Sequence, residues 1–378
     1  MKYKFSAPMP YNKKDIDKIL DINATIEKSK ITSLYASLPS NCELFTGFEQ
    51  SRNLNFDKQN WDYWKYLIEH TLSQNCDFIY LLNSPKPFNI GSSYFALRLE
   101  KLEKLLNQLK ILGVNKLRVA SGVLMFFINK HYPDFNILAS TSLEYKTIQE
   151  YKNFIDFHPE LKQIVPCHDL NKNFQILSFV KKKYPNIEIE LMVNEGCLRG
   201  CPNRNMHEMT DYNIEGNITG TYCTSFCTSQ FGNYPFQSFV MGSHIYPYEI
   251  EEYGKIGINN FKFVGRDGYR DNFQYFIKSF TDYLKGIDNI NNIKNTSLNY
   301  ISSHYARSKL LEQLMIKDYK KYLPNIKYFK KNGHLCASRC GTECRYCYKC
   351  AEKIQKIFEN KIKQNEKKPH YVPACKIN

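Results

Sequence analysis

Nine of the thirteen cysteines in this 378-residue chain fall into two clusters whose spacing suits metal binding. Cys197 and Cys201 form one Cys-x3-Cys pair, Cys223 and Cys227 form a second, and 21 residues separate the pairs. Cys336, Cys340, Cys344, Cys347 and Cys350 place five thiols within fifteen residues. A reducing compartment disfavours disulfides, so thiols gathered this densely point to metal. Four thiolates converging on one centre suit a 4Fe–4S cluster or a structural zinc. Zinc knuckles favour Cys-x2-Cys, and their sites are closed. The first set directly follows a strand-like run, and that placement suits a 4Fe–4S cluster better. For the second set, a second 4Fe–4S cluster and a zinc ion stay equally open, with four of the five cysteines as ligands.

Polar residues near the first set extend the chemistry. Arg204 could grip a carboxylate or phosphate, donate to cluster sulfurs or pair with Glu195. His207 could move a proton near neutral pH or brace its loop. Glu195 is a candidate general base or an ion-pairing partner. Lys262 and Arg266 flank the end of the last strand-like run, where they could bind an anionic substrate or form ion pairs. The catalytic candidates are thus His207 and Glu195, and the substrate-binding candidates are Arg204, Lys262 and Arg266. His168, after Cys167 at another strand end, reads as a loop residue. No Ser–His–Asp arrangement or His-Glu-x-x-His motif stands out.

Such residues need a scaffold. Strand-like apolar runs occur at 4–7, 33–37, 78–83, 116–121, 136–141, 163–166, 187–193 and 260–265. Helical patterns lie between them, the clearest over 94–112 with Leu99, Leu102, Leu105, Leu106 and Leu109 at helical spacing. Others cover 147–157, 174–183 and 269–284. This alternation predicts a parallel sheet, and eight strands favour a closed (β/α)8 TIM-like barrel. Residues 197–236 form a Cys-rich insertion after the seventh strand. Near residue 290 the composition turns Asn- and Lys-rich, dividing a barrel (1–290) from a small helical, Cys-rich metal-binding segment (291–378). Cys340, Cys344, Tyr346 and Cys347 match the radical-SAM spacing. That loop follows the first strand of its barrel, however, whereas this one comes after the last.

The net charge of +15 admits RNA as a partner, but no dense basic block with interleaved aromatics appears. No run of eighteen apolar residues occurs, and the first residues lack the apolar stretch of a signal peptide. A soluble, cytoplasmic protein is expected.

Several phrases in order resemble peptidase family U-32, the collagenase-like proteins. Residues 187–193 before Cys197 resemble the family's seventh strand and its cysteines. Ser243-His244, a helix near 249–255, Ile256-Gly257-Ile258 and Phe261-Lys262-Phe263-Val264-Gly265-Arg266 resemble its "AGV" and "LKIEGR" phrases. Ala139-Ser140-Thr141 resembles "HASTQ", and Ala7-Pro8 resembles "LAPAG". The resemblance spans roughly 4–285. The chain departs from the family in its tighter first cysteine pair. It also has Val264 where the family has an acid, and Glu195-Gly196 where it has His-Gly. The resemblance implies a barrel carrying a 4Fe–4S cluster in a divergent branch. Some relatives support oxygen-independent hydroxylation of RNA bases or ubiquinone precursors; others were classed as proteases. The expected activity is an iron–sulfur-dependent hydroxylation, or related modification, of an RNA base, peptide or anionic small molecule, served by an electron donor. The alternatives are a non-catalytic iron–sulfur or zinc protein for binding or assembly, and a peptidase.

Overall fold

Short runs rich in Ile, Leu, Val and Phe alternate with amphipathic stretches, and each run becomes a strand buried on both sides. The computed structural model describes residues 2–37, 61–83, 95–195, 199–202, 204, 242–264, 268–287 and 323–366. Eight parallel strands pair in sequence order and close into a barrel. They are β1 (Tyr3–Pro8), β2 (Ser29–Ala36), β3 (Asp77–Leu82), β4 (Lys116–Val119), β5 (Asn136–Ala139), β6 (Gln163–Ile164), β7 (Glu188–Met192) and β8 (Asn260–Lys262). Each coincides with one expected run, and the (β/α)8 barrel is the fold.

The barrel helices are α1 (Lys13–Asp21), α2 (Trp61–Ser73), α3 (Phe95–Ile111), α4 (Gly122–His131), α5 (Ile148–Phe157), α6 (Phe174–Lys183), α7 (Ile250–Gly254) and α8 (Gly268–Leu284). Polar caps set their starts. Thr147 and Glu150 form a capping box on α5, and Asn173 caps α6 by accepting from Ile176 N. The sequence reading had not singled out α1, α2 and α4. Among the described residues, no helix is long and apolar enough to cross a membrane.

Strand side chains alternate between the two faces of the sheet. Phe5, Leu117, Ile189 and Phe261 join the core between strands and helices. Tyr35, Ile79, Leu81 and Leu138 form a separate cluster at the alternate positions, inside the barrel. The same face carries charge. Arg118 on β4 and Glu190 on β7 are almost wholly buried, with Arg118 Nη1 2.8 Å from Glu190 Oε2. Arg118 Nη2 donates to Gln163 Oε1 at 2.9 Å, and Ser6 Oγ donates to Glu190 Oε1 at 2.8 Å. Four strands are thereby tied across the interior.

The C-terminal segment contributes α9 (Ile326–Asn332), α10 (His334–Ser338) and α11 (Tyr346–Glu366). The division expected near residue 290 lies within 288–322, outside the described residues. Leu323, Phe329, Cys336, Cys347 and Ile354 belong to the same apolar core as the barrel. Gln175 Nε2 on α6 donates to Lys330 O at 3.0 Å and Lys331 O at 3.1 Å, and Lys330 Nζ lies 2.6 Å from Glu252 Oε2. Gly333 permits the approach: a Cβ there would sit 2.2 Å from Lys172 O and 2.6 Å from Phe329 O.

Two outcomes follow from this packing. Arg118→Ala leaves Glu190 buried without its cation and should cost about 3–5 kcal/mol in chemical denaturation, whereas replacing both residues by apolar ones should cost less. Gly333→Ala should loosen the C-terminal segment from α6, read as faster proteolytic cleavage after residue 287 while the barrel's circular dichroism persists.

Candidate functional site

The C-terminal ends of β5, β6 and β7 open onto one mouth of the barrel, the face where this fold places its chemistry. After β5 a 3-10 turn, Thr141–Leu143, ends at Glu144, whose backbone takes the left-handed conformation with φ 53°. After β6 come Cys167, His168 and Asp169. Cys167 Sγ donates to Glu144 Oε2 at 3.0 Å, and His168 Nε2 lies 3.4 Å from Asp169 Oδ1. Lys146 Nζ lies 3.0 Å from Asp169 and 3.8 Å from Glu144. Arg204 spans two carboxylates, 3.7 Å from Glu144 and 3.6 Å from Glu195. Gly200 N donates to Asp169 Oδ1 at 2.8 Å, fastening the first cysteine loop to the end of β6. Burial opposes ionisation of Asp169, but His168, the Gly200 N–H and Lys146 outweigh it and hold the carboxyl below its usual range. A small pocket beside Glu144 and Cys167 is walled by Tyr145, Tyr151 and Phe154.

Lys262 ends β8 inside the barrel, its Nζ 4.0 Å above the Tyr35 ring. Burial and the neighbouring Arg118 charge outweigh Glu190 and Glu195 and hold its ammonium down to about 7. His244, buried nearby, is held down to about 4 by burial. Lys172 and Glu249 form a buried ion pair under the C-terminal segment, and Lys172 Nζ also sits 5.6 Å from the Phe329 ring.

The second cysteine set folds as a turn and a helix. Gly341, at φ 89°, lets the chain reverse so that Cys340 and Cys344 bridge, and Cys344 N donates to Arg339 O at 3.1 Å. Cys347 and Cys350 follow three residues apart on α11, which puts them on one face. Tyr328, whose Oη lies 3.3 Å from Cys344 Sγ, stacks on Tyr346 with centroids 3.9 Å apart. From the barrel side, the buried Arg199 guanidinium donates to Cys347 Sγ at 3.0 Å and to Cys336 Sγ at 3.4 Å. Burial opposes that charge, yet Cys347 and Cys336 hold the guanidinium protonated more firmly than usual. Burial pushes the Cys350 thiol up to about 11 and, against the pull of Arg199, Cys336 also to about 11. All eight cysteines described are free of disulfides. The donor set therefore fits a thiolate-bound centre: a buried cation already faces the sulfurs whose negative charge it would balance.

The structure brings Glu195 and Arg204 together as an ion pair, one of the roles expected for each. It buries Lys262 beneath them. Cys201 lies at the mouth, half-buried. Cys197, Cys223, Cys227, His207 and Arg266 lie outside the described residues. The sequence reading missed Arg199, Glu144, Cys167, Asp169 and the pair Arg118–Glu190. Two signals pointed toward them: Cys167-His168-Asp169 at a strand end, and the alternating acids of Glu188-Ile189-Glu190 in an apolar strand. Nothing in the sequence marks Glu144.

No protein-family model and no curated protein matches the chain. Among solved structures, it is similar to the U32 peptidase Mk0906, at 12% identity and a TM-score of 0.44, covering 69% of this chain and 92% of that one. It is also similar to the tryptophan synthase alpha-subunit of Pyrococcus furiosus, at 10% identity and a TM-score of 0.44, covering 76% and 98%. At such identity the likeness concerns the fold, and no activity passes from these proteins to this one.

The Lys262 environment sets a pH dependence. Its folded value lies below the unfolded one, so the folded state carries the whole penalty at and below pH 7 and sheds it as pH rises toward 10.5. Lys262→Met should stabilise the protein at pH 6 by about 2 kcal/mol or more, and the gain should shrink by pH 10. Paired denaturation curves at the two pH values check this.

Proposed function

We propose that this chain is an iron–sulfur enzyme whose C-terminal cysteines hold a cluster against the barrel mouth and whose mouth residues receive an anionic substrate. The carrying observation is Arg199: a residue of the first cysteine loop, following β7, donates to two sulfurs of the second set. That contact joins the face where barrel enzymes work to the thiols best able to bind a metal. Four of Cys336, Cys340, Cys344, Cys347 and Cys350 would be the ligands, and Cys197, Cys201, Cys223 and Cys227 would hold a second cluster. No three of the described tail sulfurs lie within 4.8 Å of one another.

An iron–sulfur cluster supplies single-electron transfer when bound. Arg204 and Lys146 are the cations at the mouth that would turn to a substrate carboxylate or phosphate, while Glu195 holds the Arg204 guanidinium. Lys262, held near neutrality, can accept or return a proton at Nζ close to pH 7. The reaction class is oxygen-independent hydroxylation, or a related modification, of an RNA base, peptide or small molecule, with an oxygen-atom donor other than O2 supplying the oxygen and taking up the two electrons the substrate loses. A second reading is a metal that only staples the C-terminal segment. It is favoured by the core that this segment shares with the barrel.

Anaerobic purification with iron, sulfide and zinc analysis separates the two. The enzyme reading expects iron and sulfide, about four of each per cluster, with broad visible absorbance that Cys347→Ser diminishes. Arg199→Gln should keep the cluster but lower its reduction potential, because a cation and two N–H···S bonds that favour the reduced form are lost. Zinc alone, with no iron or sulfide, would refute the enzyme reading.

A further inference from the structure

Glu144, Cys167 and His168 belong to neither cysteine set. One ligand atom from each, a carboxylate oxygen, a sulfur and an imidazole nitrogen, lies within 4.8 Å of the other two. Among the described residues this is the one group of three or more such side chains gathered so closely. Tetrahedral zinc holds its donors about 3.3–3.8 Å apart, so small side-chain shifts would close the three around an ion. We infer that Glu144, Cys167 and His168 bind a divalent transition-metal ion of the zinc class, leaving a fourth position open at the barrel mouth.

Each ligand is held before the ion arrives. Glu144 occupies a left-handed backbone conformation that a β-carbon makes costly, and the turn is closed by its N–H to Thr141 O at 2.9 Å. His168 has the Asp169 carboxylate 3.4 Å from Nε2, the pairing that orients metal-bound imidazoles. Cys167 and His168 lie three and four residues beyond the end of β6, and both are almost wholly buried. Charge points the same way. Three carboxylates, Glu144, Asp169 and Glu195, face two cations, Lys146 and Arg204. A divalent ion with a Cys167 thiolate brings that cluster to neutrality. The sulfur, nitrogen and oxygen donors suit zinc or another borderline ion better than magnesium or calcium. Three protein ligands are the complement of a catalytic rather than a closed structural site, so the fourth position takes water or an oxygen anion.

This site shares no ligand with the proposed clusters and stands or falls separately. The test uses the full chain, purified anaerobically, equilibrated with zinc and freed of excess. The wild type should retain one more zinc ion per chain than Cys167→Ser or His168→Ala, and Cys347→Ser should keep that ion. In zinc-soaked wild-type crystals, an anomalous peak at the zinc edge should lie within bonding distance of Cys167 Sγ and the His168 ring. Equal zinc in the wild type and both variants, or no anomalous peak among the three side chains, would overturn the assignment. The crystal measurement holds even if a variant fails to fold.

Discussion

A charge taken out of water inside a closed barrel must find its partner within the protein, and that requirement runs through this molecule from interior to mouth. On the strands it produces the Arg118–Glu190 pair with Gln163 and Ser6 completing the network. One layer higher it leaves Lys262 over an aromatic ring, repelled by Arg118, with its charge expensive. At the rim it interleaves Glu144, Lys146, Asp169, Glu195 and Arg204. Under the C-terminal segment it pairs Lys172 with Glu249 and turns Arg199 onto sulfur.

The consequence is a C-terminal segment that is part of the mouth. Thiolates would place negative charge directly against the Arg199 guanidinium. Metal binding, which removes the thiol protons, would therefore strengthen the same contact that fastens the segment to the barrel. Gly333 shows how close that fastening is, because no β-carbon fits between the segment and the backbone at Lys172. Under the proposed function, metal occupancy and docking of the segment form one equilibrium.

The mouth also separates two kinds of donor. The tail offers sulfur alone, under an arginine. The rim of β5 and β6 offers sulfur, nitrogen and oxygen within 4.8 Å. All-sulfur sets hold iron–sulfur clusters or closed zinc, whereas a mixed set of three protein ligands leaves a single borderline ion an open position. Gly200 links them, because its N–H reaches Asp169 while the adjacent Arg199 reaches the tail.

Much of the fold was legible in the residue order. Apolar runs alternating with helical periodicity specify strands and helices wherever burial is two-sided or striped, and all eight strands lie at the expected places. The helices passed over include α1, which is short but carries a clear apolar stripe and an Asn12 cap that were there to be read. The tail's cysteine spacing was equally plain, since ligands in one short segment are local in sequence. The rim cluster was not plain, because Glu144 and Cys167 lie 23 residues apart, in the loops after two different strands, and meet only when β5 and β6 pair. Arg199 stands between Cys197 and Cys201 with no signal of its own. Its partners lie 137 and 148 residues away, and no local pattern can encode a contact made by docking. Composition and periodicity fix which segments form; barrel closure and the docked tail fix which charges and sulfurs face one another.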